Sequence, residues 1–111
     1  LSLRRQRQMC IRDSYTVEEG QDAARTVALN IIAQVKAACD GDLDRVVRCI
    51  KLGGFVNCPD NFHQQPQVIN GASDLMVDVF GDAGRHSRFA VGAPALPFNV
   101  AVEIDAVFEV R

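Results

Sequence analysis

From Val100 to Val110 the chain alternates with a period of two. Val100, Val102, Ile104, Ala106, Phe108 and Val110 fall on one side, and Ala101, Glu103, Asp105, Val107 and Glu109 on the other. A β-strand sends successive side chains to opposite faces, so this run demands a sheet with one face packed by apolar partners. The other face carries acids and small residues, and is expected to meet water, a cleft or a second subunit.

The cover for the apolar face is legible upstream. Thr16 followed by Glu19 fits a capping box, in which a hydroxyl and a carboxylate satisfy backbone N–H groups reciprocally. Beyond it Ala24, Val27, Ala28, Ile31, Val35 and Ala38 recur at helical spacing, which predicts a helix to about Ala38 that ends before Gly41. A second helix is expected from Phe62 or Pro66 to Phe80. Its apolar stripe is Val68, Ile69, Ala72, Leu75, Met76, Val79 and Phe80, and Gly81 and Gly84 break it. Between the helices, Arg45 to Val56 is β-branched and apolar and reads as a strand. Gly53-Gly54 marks a bulge or a close backbone approach there, and Asn57 to Asn61 is a turn cluster. Arg88 to Ala93 is a further strand, parted from Val100–Val110 by Pro94 and Pro97.

The order α-β-α-β-β gives an α+β architecture with two helices packed on one face of a sheet. Three strands are few for two long helices, which implies that N-terminal strands are missing. At 111 residues the chain is one domain at most, and its mean hydropathy of +0.01 is that of an ordinary globular protein. No stretch is long and apolar enough to span a bilayer, so no membrane partner is expected.

Charge is unevenly distributed. Residues 1–14 carry Arg4, Arg5, Arg7 and Arg12 against Asp13, a net of +3, whereas the remainder holds 8 basic and 13 acidic residues, a net of −5. An acidic body argues against a nucleic-acid partner. The four cysteines, Cys10, Cys39, Cys49 and Cys58, show no CxxC spacing, and His63 and His86 are far apart. No metal site is therefore expected, and the cysteines read as reduced, mostly buried thiols of a cytoplasmic protein.

Residues 1–14 (LSLRRQRQMCIRDS) have no clean period of 2 or 3.6. A basic arm or a transit peptide has this composition, but QRQMCIRDS also resembles translated sequencing-adapter read-through. Residues 1–14 are accordingly set apart as a non-native or disordered segment, and 15–111 as the domain.

A long helix, then KLGGFVN, INGASDLMVDVFGDAGRHSR and RFAVGAPALPFNVAVEIDAVFEV, resembles the RidA family of reactive-intermediate deaminases (formerly YjgF), in a divergent bacterial branch. The resemblance covers Tyr15 to Arg111. Its most specific part is Arg88, with Leu96-Pro97 eight and nine positions on, and then Val102-Glu103-Ile104. It implies a chorismate-mutase-like α+β fold, a homotrimer with ligand clefts between subunits, and a strand hairpin before the first helix, whose place residues 1–14 occupy.

The resemblance also implies hydrolysis of small carboxylated enamines and imines, such as 2-aminoacrylate, to 2-keto acids and ammonia without a cofactor. In that reading Arg88 binds the carboxylate of a small metabolite, because a planar guanidinium offers two parallel donors to two oxygens. Glu103 is the catalytic carboxylate that helps place or activate water, as a general base, and Asn70 borders the cleft as a substrate-binding residue. A non-catalytic trimer that binds or senses small metabolites would keep the same arginine.

Each residue also has a simpler role. Arg88 fits a strand-end surface ion pair, Glu103 a solvated outward position, Asn70 a mid-helix residue bonded to a loop, and His86 an exposed loop. Two departures from the family pattern bear on the chemistry. His86-Ser87 stands where a pair such as Pro-Ala or Pro-Thr is usual, and Ala90 stands where a cysteine is common.

Overall fold

The structure is a computed structural model that describes residues 2–6 and 16–111. Its elements are β1 (Ser2–Gln6), α1 (Val17–Ala38), β2 (Val46–Asn57), α2 (Gln65–Phe80), β3 (Ser87–Ala93) and β4 (Val102–Val110), joined in part by short 3-10 turns.

Helix α1 begins as its capping box requires. Glu19 N–H donates to the Thr16 hydroxyl at 3.1 Å, and Thr16 N–H donates to the Glu19 carboxylate at 2.9 Å. It stops at Cys39, where Asp40 and Gly41 both take left-handed backbone angles. Helix α2 starts at Gln65, so Pro66 sits in the first turn, where its missing N–H has no helical acceptor to lose.

The sheet runs β1-β4-β2-β3. β4 is antiparallel to both β1 and β2, whereas β2 and β3 are parallel, with α2 as their crossover. α1 lies over β4 and β1, and α2 over β2 and β3. The two-helix, one-face α+β fold expected from the pattern is thus the observed one. Val102, Ile104, Ala106 and Phe108 of β4 are all buried, in a core with Leu52 and Val56 of the neighbouring β2 and Val27, Ile31, Val35, Val68, Ile69 and Met76 of the helices.

Two observations extend the sequence reading. Ser2–Gln6, inside the segment set apart on composition, pairs with β4 from Ser2↔Val107 to Gln6↔Glu103. Strand pairing is made by backbone groups, which any side chains supply, so a stretch without an alternating pattern can still form it. The rest of that segment, Cys10 included, lies outside the described residues. Gly53 and Gly54, in turn, mark a close approach, while the register shifts of β2 fall earlier, between Val46 and Arg48 and between Cys49 and Lys51. A Cβ on Gly54 would stand 2.5 Å from the Ile69 side chain on α2, and one on Gly53 would stand 2.5 Å from the Phe89 ring on the opposite face.

Candidate functional site

The faces of the sheet follow from register. Arg88 pairs with Leu52, which is wholly buried beneath the helices, so Arg88 leaves β3 on the helix-covered side. β3 is an outer strand, and its guanidinium reaches α2 at the sheet margin, where Nη1 donates to the Ser73 hydroxyl at 3.1 Å. Ser73 is also 3.1 Å from Nε2 of His86, whose Nδ1 is 2.6 Å from the Gly84 carbonyl oxygen.

These residues line a cleft of about 260 Å³ together with Asn70, Asp74, Val77 and Arg85. On α2, Asn70, Ser73, Asp74 and Val77 recur at i, i+3, i+4 and i+7 and so share one face. Arg85 is exposed and pairs with Asp82 at 3.2 Å, an ion pair in water that neutralises it only weakly. Among the described residues no carboxylate pairs with Arg88, whose partner is a neutral hydroxyl. Arg88 therefore makes no strand-end ion pair among the described residues, and it lines the cleft.

The structure therefore brings Arg88 and Asn70 to one cleft. It places Glu103 elsewhere. Glu103 pairs with Phe55, three residues along β2 from Leu52, so its side chain leaves the sheet on the face away from the helices. It is 6% exposed, unlike the solvated outward position that was its simpler reading. That face carries Phe55 and Phe89 in an edge-to-face contact at 5.4 Å, with the Lys51 ammonium 5.4 Å from the centre of the Phe89 ring.

His86 is half-buried and bonded at both ring nitrogens, not an exposed loop residue. Ser73 was invisible to motif reading. The polar stripe from Asn70 through Ser73 and Asp74, flanking the apolar stripe of α2, was the available signal. A second hollow of about 230 Å³ lies at the far end of β3, lined by Cys58, Asp60, His63 and Gln65 among others. Among the described residues no three His, Cys, Asp or Glu side chains come together as a metal would need, and no helix is long and apolar enough to cross a membrane.

This α+β fold, with two helices on one face of the sheet, agrees with the family resemblance. The chain belongs to the family described as "YjgF/chorismate mutase-like, putative endoribonuclease", whose model matches residues 2–109. Protein TCP17 of Trypanosoma cruzi is 55% identical over 99 residues, which cover 88% of this chain and 61% of that protein. Among solved structures, the Agrobacterium tumefaciens protein Atu1372, of unknown function, is 52% identical with a TM-score of 0.87, over 89% of this chain and 62% of that one. A Shewanella oneidensis protein described as a putative endoribonuclease is 39% identical with a TM-score of 0.85, over 93% and 68%. Escherichia coli TdcF, solved with bound serine, is 25% identical with a TM-score of 0.54, over 82% and 64%. The chain thus spans about three-fifths of the length of TCP17 and Atu1372.

Proposed function

We propose that the chain is the body of an enamine/imine deaminase that hydrolyses small carboxylated reactive intermediates to 2-keto acids and ammonia. The observation that carries this reading is Arg88, a guanidinium with no carboxylate partner among the described residues, opening on a cleft of small-metabolite size shared with Asn70. The serine held by TdcF supports a small carboxylated ligand.

The chemistry asks little of the protein. 2-Aminoacrylate tautomerises to 2-iminopropionate, water adds to the imine carbon, and the nitrogen takes up a proton. The resulting carbinolamine expels ammonia, its hydroxyl loses a proton, and pyruvate remains. Arg88 holds the carboxylate and so fixes the position of the adjacent imine carbon. A carboxylate that removes a proton from the attacking water raises its nucleophilicity, and Glu103 is assigned that catalytic role.

Because Arg88 and Glu103 leave the sheet on opposite faces, one chain does not join them. The reading therefore includes a homotrimer with clefts between subunits, in which Glu103 of one copy approaches Arg88 of another. The helix-free face suits such packing, since Phe55, Phe89 and a 43% exposed Val91 give it an apolar surface. Three buried cysteines, Cys39, Cys49 and Cys58, fit a cytoplasmic location. The acidic body makes RNA a poor substrate.

The same separation favours one alternative, a non-catalytic trimer that binds or senses small metabolites through Arg88. Following 2-aminoacrylate generated in situ decides between them. Decay faster than in buffer supports the deaminase. Decay at the buffer rate by a protein that binds pyruvate establishes the binding protein instead.

A further inference from the structure

We propose that Ser73 is a positioning residue for Arg88, and that His86 fixes the direction in which the Ser73 hydroxyl points. The inference rests on the reading of Arg88 as the carboxylate-binding group and adds the device that presents it.

Proton bookkeeping gives the direction. The Gly84 carbonyl can only accept, so the 2.6 Å contact puts the hydrogen on Nδ1 of His86. On a neutral ring Nε2 is then the acceptor, and the group 3.1 Å away is the Ser73 hydroxyl, which donates its single proton there. A lone pair of the same oxygen is left to accept from Nη1 of Arg88, also at 3.1 Å. Each donor is used once, along Arg88 to Ser73 to His86 to Gly84. A hydroxyl that pointed at Arg88 would meet a group with no acceptor at all.

The far end of this relay is held by backbone. A Cβ on Gly84 would collide with the Met76 carbonyl, so the turn after α2 is pressed against that helix and its own carbonyl is fixed relative to Ser73. Ser73 belongs to α2, and Arg88 to an outer strand paired on one side only. An exposed arginine on such a strand samples many rotamers, and a ligand must order it on binding. The Ser73 bond restricts it beforehand to poses that face the cleft.

The test uses the whole chain and pyruvate as probe, with affinities from titration calorimetry. Ser73→Ala is expected to bind pyruvate about threefold to tenfold more weakly, with an unchanged melting temperature, because alanine suits a helix. Ser73→Thr keeps the hydroxyl and is expected to restore affinity. Nitrogen-15 spectra of the His86 ring are expected to show the Nδ1–H tautomer. Wild-type affinity in Ser73→Ala, alongside a loss in Arg88→Ala, overturns the positioning role and leaves the carboxylate reading standing. An equal loss in the alanine and threonine variants also overturns it, since the hydroxyl is then not what matters. An Nε2–H tautomer overturns the assigned direction. Unchanged affinity in Arg88→Ala removes the carboxylate reading, and this inference with it.

Discussion

Arg88 and Glu103 stand on opposite faces of one sheet: Arg88 shares the side of Leu52 beneath α2, and Glu103 the side of Phe55. A strand reverses side-chain direction at every residue, so no local adjustment of either side chain joins them. If turnover needs both, it needs two copies.

That requirement predicts complementation between inactive variants. Arg88→Ala and Glu103→Gln are each expected to lose 2-aminoacrylate hydrolysis. Chains of the two kinds, mixed in denaturant and refolded together, are expected to recover part of it, because some mixed clefts combine one intact Arg88 with one intact Glu103. A mixture as inactive as its components would rule out a shared cleft.

The helix crossing makes a prediction whose sign is informative. Gly71 sits inside α2, where helix propensity alone would favour alanine by about 1 kcal/mol. A Cβ at that position would, however, collide with the Gln21 carbonyl oxygen of α1, and Gln21 itself donates to the Gln67 carbonyl at 2.8 Å. The obstacle is backbone, so the helices must move apart. Gly71→Ala is expected to lower stability by ~3 kcal/mol in urea unfolding. A gain would show that the helices cross more loosely than described.

Cys49 links burial to alkaline stability. It is 1% exposed, and desolvation pushes its thiol from 9.0 up to about 11. The unfolded thiol ionises first, so the unfolded state binds fewer protons within this window and stability falls as pH rises. This contribution is complete below pH 9.0 and is lost by about pH 11, on the order of 2 kcal/mol in all. Cys49→Ala is expected to unfold more easily at neutral pH yet to show a shallower decline over that interval. Parallel declines for the two proteins would place the thiol in contact with water.

Much of the fold was legible because it is written in local periods. The alternation of β4 identified its buried face, the Thr16–Glu19 box gave the start of α1, and Gly53-Gly54 announced a close approach. Strand direction was not legible. Whether β2 and β3 run parallel depends on where α2 carries the chain, which no short window contains. β1 was missed because its pairing is made by backbone atoms in a stretch without side-chain pattern. In the site, Arg88 and Asn70 came from a family motif and do share a cleft. Ser73 and His86 did not, since a helix serine and a loop histidine acquire meaning only when a turn folds one against the other.

The central claim is that Arg88 binds a carboxylate, and calorimetric titration of pyruvate into wild-type and Arg88→Ala protein tests it most directly. Loss of a charged hydrogen-bonding partner is expected to weaken binding roughly tenfold to hundredfold, with the fold intact by circular dichroism. Equal affinities for the two proteins would contradict the account.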